Sequence, residues 1–177
     1  MKIFSDDSAK AKIEDIHINV ENLVLDLSSE DSDIREKARH TLSRMGKGAI
    51  PELRNYIHSE HHIQRWEVAK TLGEIGSPAV IPLLMEILED PFSSIRWLAA
   101  EGLVRVGTPA IRPILEALIE NPDSVLLRNG AHHVFKELVK NEQAARLQPL
   151  LTALDAPGPA AQVPVLADAL LRTVYAG

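Results

Sequence analysis

The sequence of 177 residues contains no cysteine, which excludes disulfides, thiolate metal sites and cysteine nucleophiles. Aromatic residues make up 4% of the chain, so leucine, isoleucine, valine and alanine must fill the core. No stretch approaches the roughly 20 apolar residues that a membrane-spanning helix needs. The first residues, MKIFSDDSAKAK, lack the apolar segment of a secretory signal. These absences predict a cytoplasmic protein.

The chain also lacks an excess of basic residues, since its formal net charge is −6 at pH 7. Proteins that bind nucleic acids or anionic membranes usually carry a basic excess or a basic face. The composition therefore argues against a membrane or a nucleic acid as the partner.

A short unit recurs along the chain, opening with an arginine and closing with a glycine. The arginines are Arg35, Arg65, Arg96 and Arg128, spaced 30, 31 and 32 residues apart. The glycines are Gly46, Gly76 and Gly107, each eleven residues after its arginine. A proline follows soon after each glycine, as is usual where one helix ends and another begins. A period of this length predicts stacked helix pairs.

The predicted fold is all-α: a right-handed α-solenoid of about five stacked antiparallel helix pairs in a single domain, 1–177. The repeats are predicted at roughly 13–46, 47–76, 77–107, 108–140 and 141–177, with 1–12 as a flexible lead-in. We expect the first and last pairs to cap the stack.

One side of each second helix is predicted to face the core. Counted from the arginine, positions −1, +3, +7 and +10 share one side at about 100° per residue. They are Ile34, Ala38, Leu42 and Met45; Val68, Leu72 and Ile75; Ile95, Ala99, Leu103 and Val106; and Leu127, Ala131, Phe135 and Leu138. We expect this core stripe to be buried.

The same residues give the chain a resemblance to the HEAT-repeat family, in its short-repeat, phycobilisome lyase-like form. The resemblance rests on three sequence patterns within roughly 20–139. They are Ile/Leu-Arg-x-x-Ala-x-x-x-Leu, a closing Ile/Val/Met-Gly, and an Ala-Ile/Val-x-Pro opening of the next pair. The resemblance implies a curved stack whose second helices line the concave face. Members of the family include scaffolds, bilin lyase subunits and iron-dependent deoxyhypusine hydroxylases.

The hydroxylase pattern requires repeated His-Glu pairs at positions +1 and +2 to hold two irons. The chain has Glu36-Lys37, Trp66-Glu67, Trp97-Leu98 and Asn129-Gly130 there. Glu67 alone matches, so the sequence predicts no enzyme activity, no cofactor and no metal site. His58 and His62 are four residues apart, but they straddle the turn between two helices, which makes a metal site there a minor alternative.

The candidates for function lie opposite the core stripe, at positions +1, +5 and +8. Trp66 and Trp97, the two tryptophans of the chain, occupy position +1 of successive repeats. If exposed, they would form an apolar ridge of the kind that marks interaction sites; alternatively, each indole covers the seam between repeats. The predicted partner-binding patch contains Trp66, Lys70, Trp97, Glu101, Val104, Asn129 and His133.

The arginine row itself has two interpretations. Acidic residues stand close to the arginines in the intervening turns, namely Asp31, Asp33, Glu60, Asp90 and Asp123. One interpretation is an arginine–carboxylate ladder that ties adjacent hairpins together. The other is a row of guanidinium groups that bind anions.

The sequence predicts a non-catalytic scaffold or adaptor that binds a protein or peptide segment on its concave face. A bilin-lyase-like or chromophore-handling subunit is the first alternative, because an aromatic groove can stack a tetrapyrrole. A helical-repeat nucleic-acid binder is the second.

Overall fold

The computed structural model describes residues 19–138, 143–156 and 161–174. Within these ranges the chain is helical and contains no strand, which confirms the all-α prediction. The predicted lead-in, residues 1–12, lies outside them.

The helices follow one another in pairs. Residues 19–26 belong to α1, which precedes α2 (Ser32–Met45). The next three pairs are α3 (Ile50–Arg54) with α4 (His62–Ile75), α5 (Ile81–Ile87) with α6 (Ser93–Val106), and α7 (Ile111–Glu120) with α8 (Val125–Leu138). The last pair is α9 (Gln143–Asp155) with α10 (Val163–Val174). Short 3₁₀ turns at Gly46–Ala49, Pro78–Val80 and Thr108–Ala110 lead into α3, α5 and α7.

Three glycines end the second helices because their backbone turns into a region that L side chains rarely adopt. Gly46, Gly76 and Gly107 have φ of 61°, 59° and 82°, and in the described chain they are the residues with positive φ. The N–H of Gly76 donates to Leu72 O and that of Gly107 to Leu103 O. The predicted helix ends are confirmed.

The second helices pack side by side, α2 against α4, α4 against α6 and α6 against α8. We call this array the second-helix row. Helices α4 and α6 approach closely at two glycines, since a Cβ on Gly73 would lie 3.2 Å from Gly102 Cα. Consecutive pairs stacked in this way form a HEAT-like helical solenoid.

The last pair departs from this order. Helix α9 packs against α8, whereas α10 packs against α7, so that the four helices from α7 to α10 form a ring. In the earlier pairs it is the second helix that packs on the second helix before it. Here the first helix of the pair, α9, takes that place.

The predicted core stripe is buried at positions +3 and +7 of every repeat and less uniformly at its two ends. Leu42, Leu72, Leu103 and Phe135 are fully inaccessible, and the residues at +10 are half-buried against the core. The prediction was wrong for Ile34, which is 40% exposed. In the described chain α2 has a second-row neighbour on one side, α4, whereas the equivalent Ile95 on α6 lies in a helix flanked by both α4 and α8.

Each helix in the described ranges is too short or too polar to traverse a bilayer.

Candidate functional site

The arginine of each repeat binds the turn that precedes its own helix. In all four copies Nη1 donates to the carbonyl oxygen six residues earlier. The pairs are Arg35 to Ser29 (2.7 Å), Arg65 to Ser59 (2.6 Å), Arg96 to Asp90 (2.7 Å) and Arg128 to Pro122 (2.8 Å). A turn carbonyl that would otherwise lack a backbone partner is thereby satisfied. The arginines therefore fix the geometry of each helical hairpin.

Two of these arginines also bind a carboxylate of the following repeat. Arg35 Nε donates to Glu67 Oε1 at 3.3 Å, and Arg65 Nε donates to Asp90 Oδ2 at 2.7 Å. Both carboxylates are almost fully buried. The arginine–carboxylate ladder is confirmed for these two repeats. Arg96 forms no ion pair with a carboxylate of the described residues.

A buried ion-pair network joins α2 to α4. Arg39 Nη1 donates to Glu67 Oε2 at 2.8 Å, and Arg39 Nε donates to Glu74 Oε1 at 3.0 Å. Burial by itself lowers the pKa of Arg39, but the hydrogen bonds and charges of Glu67 and Glu74 outweigh it and raise that pKa above its ordinary value. Glu67, the residue that matched the hydroxylase pattern, is thus engaged by Arg35 and Arg39. Sequence reasoning missed this network, since Arg39 lies outside the repeated positions.

Trp66 is half-buried and packs against the core. Lys70, one helical turn later, places Nζ 4.7 Å from the centroid of the indole, within the range of a cation–π contact. For Trp66 the structure favours the alternative prediction, in which the ring covers the seam between repeats.

Trp97 occupies the equivalent position on α6 and is 56% exposed. It lines two grooves, each of about 190 Å³. One groove contains Arg96, Asn129 and His133; the other contains Lys70, Glu101 and Arg105. Trp97 is therefore the large apolar side chain that the second-helix row presents at the predicted patch.

Glu101 and His133 form the polar edge beside this indole. The Nε2 of His133 lies 2.6 Å from Glu101 Oε1, a contact that joins α6 to α8. The His133 ring also lies 6.4 Å from that of Trp97, tilted by 48°. Glu101 occupies the helical position that Lys70 has in the preceding repeat. Lys70 contacts the face of an indole, whereas the carboxylate of Glu101 contacts His133.

The remaining members of the predicted patch differ in accessibility. Asn129 is exposed and lines the same groove as Arg96 and Trp97. Val104 is half-buried against the core, so little of its surface is left for a partner. The structure thus brings five of the predicted residues together around two adjacent grooves: Lys70, Trp97, Glu101, Asn129 and His133.

Phe92 belongs to the surface of the row but was missed in the sequence. It is 48% exposed, stacks on His62 with centroids 5.3 Å apart, and lies under the guanidinium of Arg65. With Trp66 it lines a separate cavity of about 270 Å³. An aromatic residue inside an otherwise polar turn, directly after Asp90-Pro91, was the available signal.

The histidines of the suggested metal pair have separate partners. His58 Nε2 lies 3.4 Å from Glu86 Oε2, whereas His62 stacks on Phe92. The part of the chain that the structure describes holds no group of three or more histidine, cysteine or acidic residues arranged to bind a metal ion.

The fold and the second-helix row define the class of protein, a solenoid of short helical repeats. The profile of a family described as HEAT repeats matches residues 20–93, which supports the assignment to HEAT repeats made from the sequence. HEAT repeats generally mediate protein–protein interactions. A comparison with curated proteins yields no match.

Proposed function

We propose that the protein is a non-catalytic scaffold or adaptor, and that its second-helix row binds a protein or peptide segment. The contact area is centred on the Trp97 surface, by which we mean Trp97 with its two grooves and the adjoining Lys70, Glu101, Asn129 and His133. The observation that carries the proposal is the 56% exposure of an indole set between two grooves.

An exposed indole of this kind is suited to protein binding. Tryptophan is enriched among the residues that contribute most to interfaces, where it sits near the centre and is surrounded by a polar rim. The Trp97 surface has that composition, since the indole is bordered by the His133–Glu101 pair and by an exposed amide, Asn129.

The size of the grooves favours side chains of a partner over a large cofactor. Pockets that enclose a small molecule usually hold about 300–1,000 Å³. Each groove beside Trp97 holds about 190 Å³ and is open to solvent. These dimensions suit one side chain per groove and support the adaptor over the chromophore-handling alternative.

The test is quantitative affinity capture with three immobilised baits: wild type, Trp97→Ala and Val165→Ala. Val165 is a matched control because it is an apolar residue, 67% exposed, on helix α10, which contributes no residue to either groove beside Trp97. We expect at least one protein to be retained by wild type and Val165→Ala and lost from Trp97→Ala. If every captured protein binds the three baits equally, the proposal is wrong.

The same variants separate the chromophore-handling alternative. A bilin added to wild type and to Trp97→Ala should leave its visible absorbance unchanged if the protein is an adaptor. An absorbance shift that is seen with wild type and lost in Trp97→Ala would instead show that the Trp97 surface binds the chromophore.

A further inference from the structure

The carboxylate partners of the arginine row occupy two positions in the repeat. Glu67, which binds Arg35, stands two residues after the arginine of its own repeat, Arg65. Asp90, which binds Arg65, stands six residues before the arginine of its own repeat, Arg96. Each following repeat thus supplies one carboxylate to the Nε edge of the arginine before it.

The fourth repeat supplies neither carboxylate to Arg96. Counted from Arg128, the corresponding positions hold Gly130 and Pro122, neither of which has an acidic side chain. The Nη1 of Arg96 is held by the carbonyl oxygens of Asp90 and Pro91. Within the described chain its Nε has no acceptor, so the guanidinium is fixed in place with one polar edge unused.

Arg96 borders an open groove. Arg96 lines the groove of about 190 Å³ together with Trp97, Asn129, Gly130 and His133. Gly130 has no side chain to fill this space, and a Cβ added there would lie 2.7 Å from Leu88 Cδ2, which disfavours any larger residue. The titratable side chains beside this groove are His133 and Glu101, and the carboxylate of Glu101 already contacts His133 Nε2.

We infer that this groove binds the side-chain carboxylate of an aspartate or glutamate in the partner segment, and that an adjoining apolar residue of the partner packs on Trp97. The carboxylate takes the place at Arg96 that Glu67 takes at Arg35 and Asp90 at Arg65. In both of those pairs the carboxylate is a side chain on a continuing backbone, so an internal acidic residue fits better than a chain terminus. The inference rests on the proposed function and names the chemistry of its partner.

The experiment selects ligands from a random peptide library displayed with blocked termini, using the folded full chain as the target. We expect acidic residues next to an apolar residue to be enriched on wild type. For a synthetic peptide from the selection, a Glu→Gln or Asp→Asn change should weaken binding roughly 10- to 100-fold, as for other hydrogen bonds to charged groups. Arg96→Gln should cause a similar loss, and the two losses should not add.

Arg112→Gln is the matched control, because it removes the same charge from α7, where Arg112 is exposed and pairs with Glu116. Arg96 also fixes a turn, so helical circular dichroism must show that Arg96→Gln is folded. If Arg96→Gln unfolds, the Glu→Gln or Asp→Asn change in the peptide still tests the inference, because it leaves the protein unaltered. Binding that is insensitive to the peptide's charge overturns the inference.

The outcomes also distinguish the inference from the proposed function. Selected peptides that need Trp97 but show no preference for an acidic residue leave the scaffold function standing and refute the carboxylate site. Absence of any Trp97-dependent peptide counts against both. If acidic peptides bind Arg96→Gln and wild type equally, their acidic residue does not bind at Arg96, and the carboxylate site is refuted.

Discussion

Arg39 on α2 and Glu67 on α4 form a buried ion pair, with 2.8 Å between Nη1 and Oε2, that joins the first two repeats of the second-helix row. Glu67 also accepts from Arg35, so one carboxylate serves two guanidinium groups. Removing a single partner of a buried pair is costly because the remaining charge stays buried. The network therefore makes this junction sensitive to one residue.

Glu67→Gln should lower the free energy of unfolding by about 3 kcal/mol, near the lower end for buried pairs because Glu74 remains beside Arg39. Urea denaturation followed by circular dichroism gives the value. The control is Glu116→Gln, which breaks an ion pair that is half-exposed on both sides and should change stability by less than about 1 kcal/mol. Equal effects of the two changes would show that the buried network does not hold the repeats together.

The raised pKa of Arg39 sets the pH dependence of the pair. A group whose pKa is higher in the folded state contributes stability below its unfolded-state value and loses it as the pH rises through the folded-state value. The contribution of Arg39 should therefore be fully present at neutral pH and disappear only in strong alkali. The difference in unfolding free energy between wild type and Glu67→Gln should accordingly stay constant between about pH 6 and pH 9. A difference that vanishes within this range would contradict the assignment.

The glycine contact between α4 and α6 predicts that Gly102→Ala is destabilising. A Cβ there would lie 2.9 Å from Leu84 Cδ1 and 3.1 Å from Gly73 Cα, and the second neighbour is backbone that cannot move aside. We expect a loss of about 1–3 kcal/mol in unfolding free energy, despite the better helix propensity of alanine. Gly48→Ala is the control, since nothing lies within 4 Å of its Cβ position. Gly102→Ala as stable as Gly48→Ala would mean that the helices are farther apart.

Two residues of the core stripe should respond differently to truncation. Leu103→Ala removes a fully buried side chain and should cost about 2–5 kcal/mol. Ile34→Ala removes one that is 40% exposed and should cost clearly less. Thermal unfolding of the two variants provides the comparison. A larger loss for Ile34→Ala would place that residue in the core after all.

The two tryptophans should differ in accessibility to a dissolved quencher. In Trp66→Phe the fluorescence reports on Trp97, and in Trp97→Phe it reports on Trp66. Iodide or acrylamide should quench Trp97 more strongly, because Trp66 is packed against the core and covered by Lys70. Equal quenching constants would remove the distinction on which the Trp97 surface depends.

Much of the fold was predictable because its signals are local. Gly46, Gly76 and Gly107 end helices through their own backbone conformation, and the repeated arginines set the register along the chain. The core stripe was predicted from helical periodicity. That prediction was wrong at Ile34, where burial depends on having a neighbouring helix on both sides. The place of α10 against α7 was not predictable, since the last pair lacks the repeated arginine and glycine.

The candidate surface was less predictable because it depends on contacts between repeats. Trp66 and Trp97 occupy the same repeat position but differ in exposure, and part of the difference comes from the residue one turn later, Lys70 against Glu101. The arginine row looked uniform in the sequence. In the structure Arg96 differs from Arg35 and Arg65 through residues 26 and 34 positions further along the chain, Pro122 and Gly130.

The central claim is that the Trp97 surface binds a protein partner. Isothermal titration of a partner identified by affinity capture, against wild type, Trp97→Ala and Val165→Ala, tests it most directly. We expect Trp97→Ala to weaken binding by about 30-fold or more, as for an interface residue worth 2 kcal/mol. We also expect Val165→Ala to bind as wild type does. Equal affinity of all three proteins would contradict the claim.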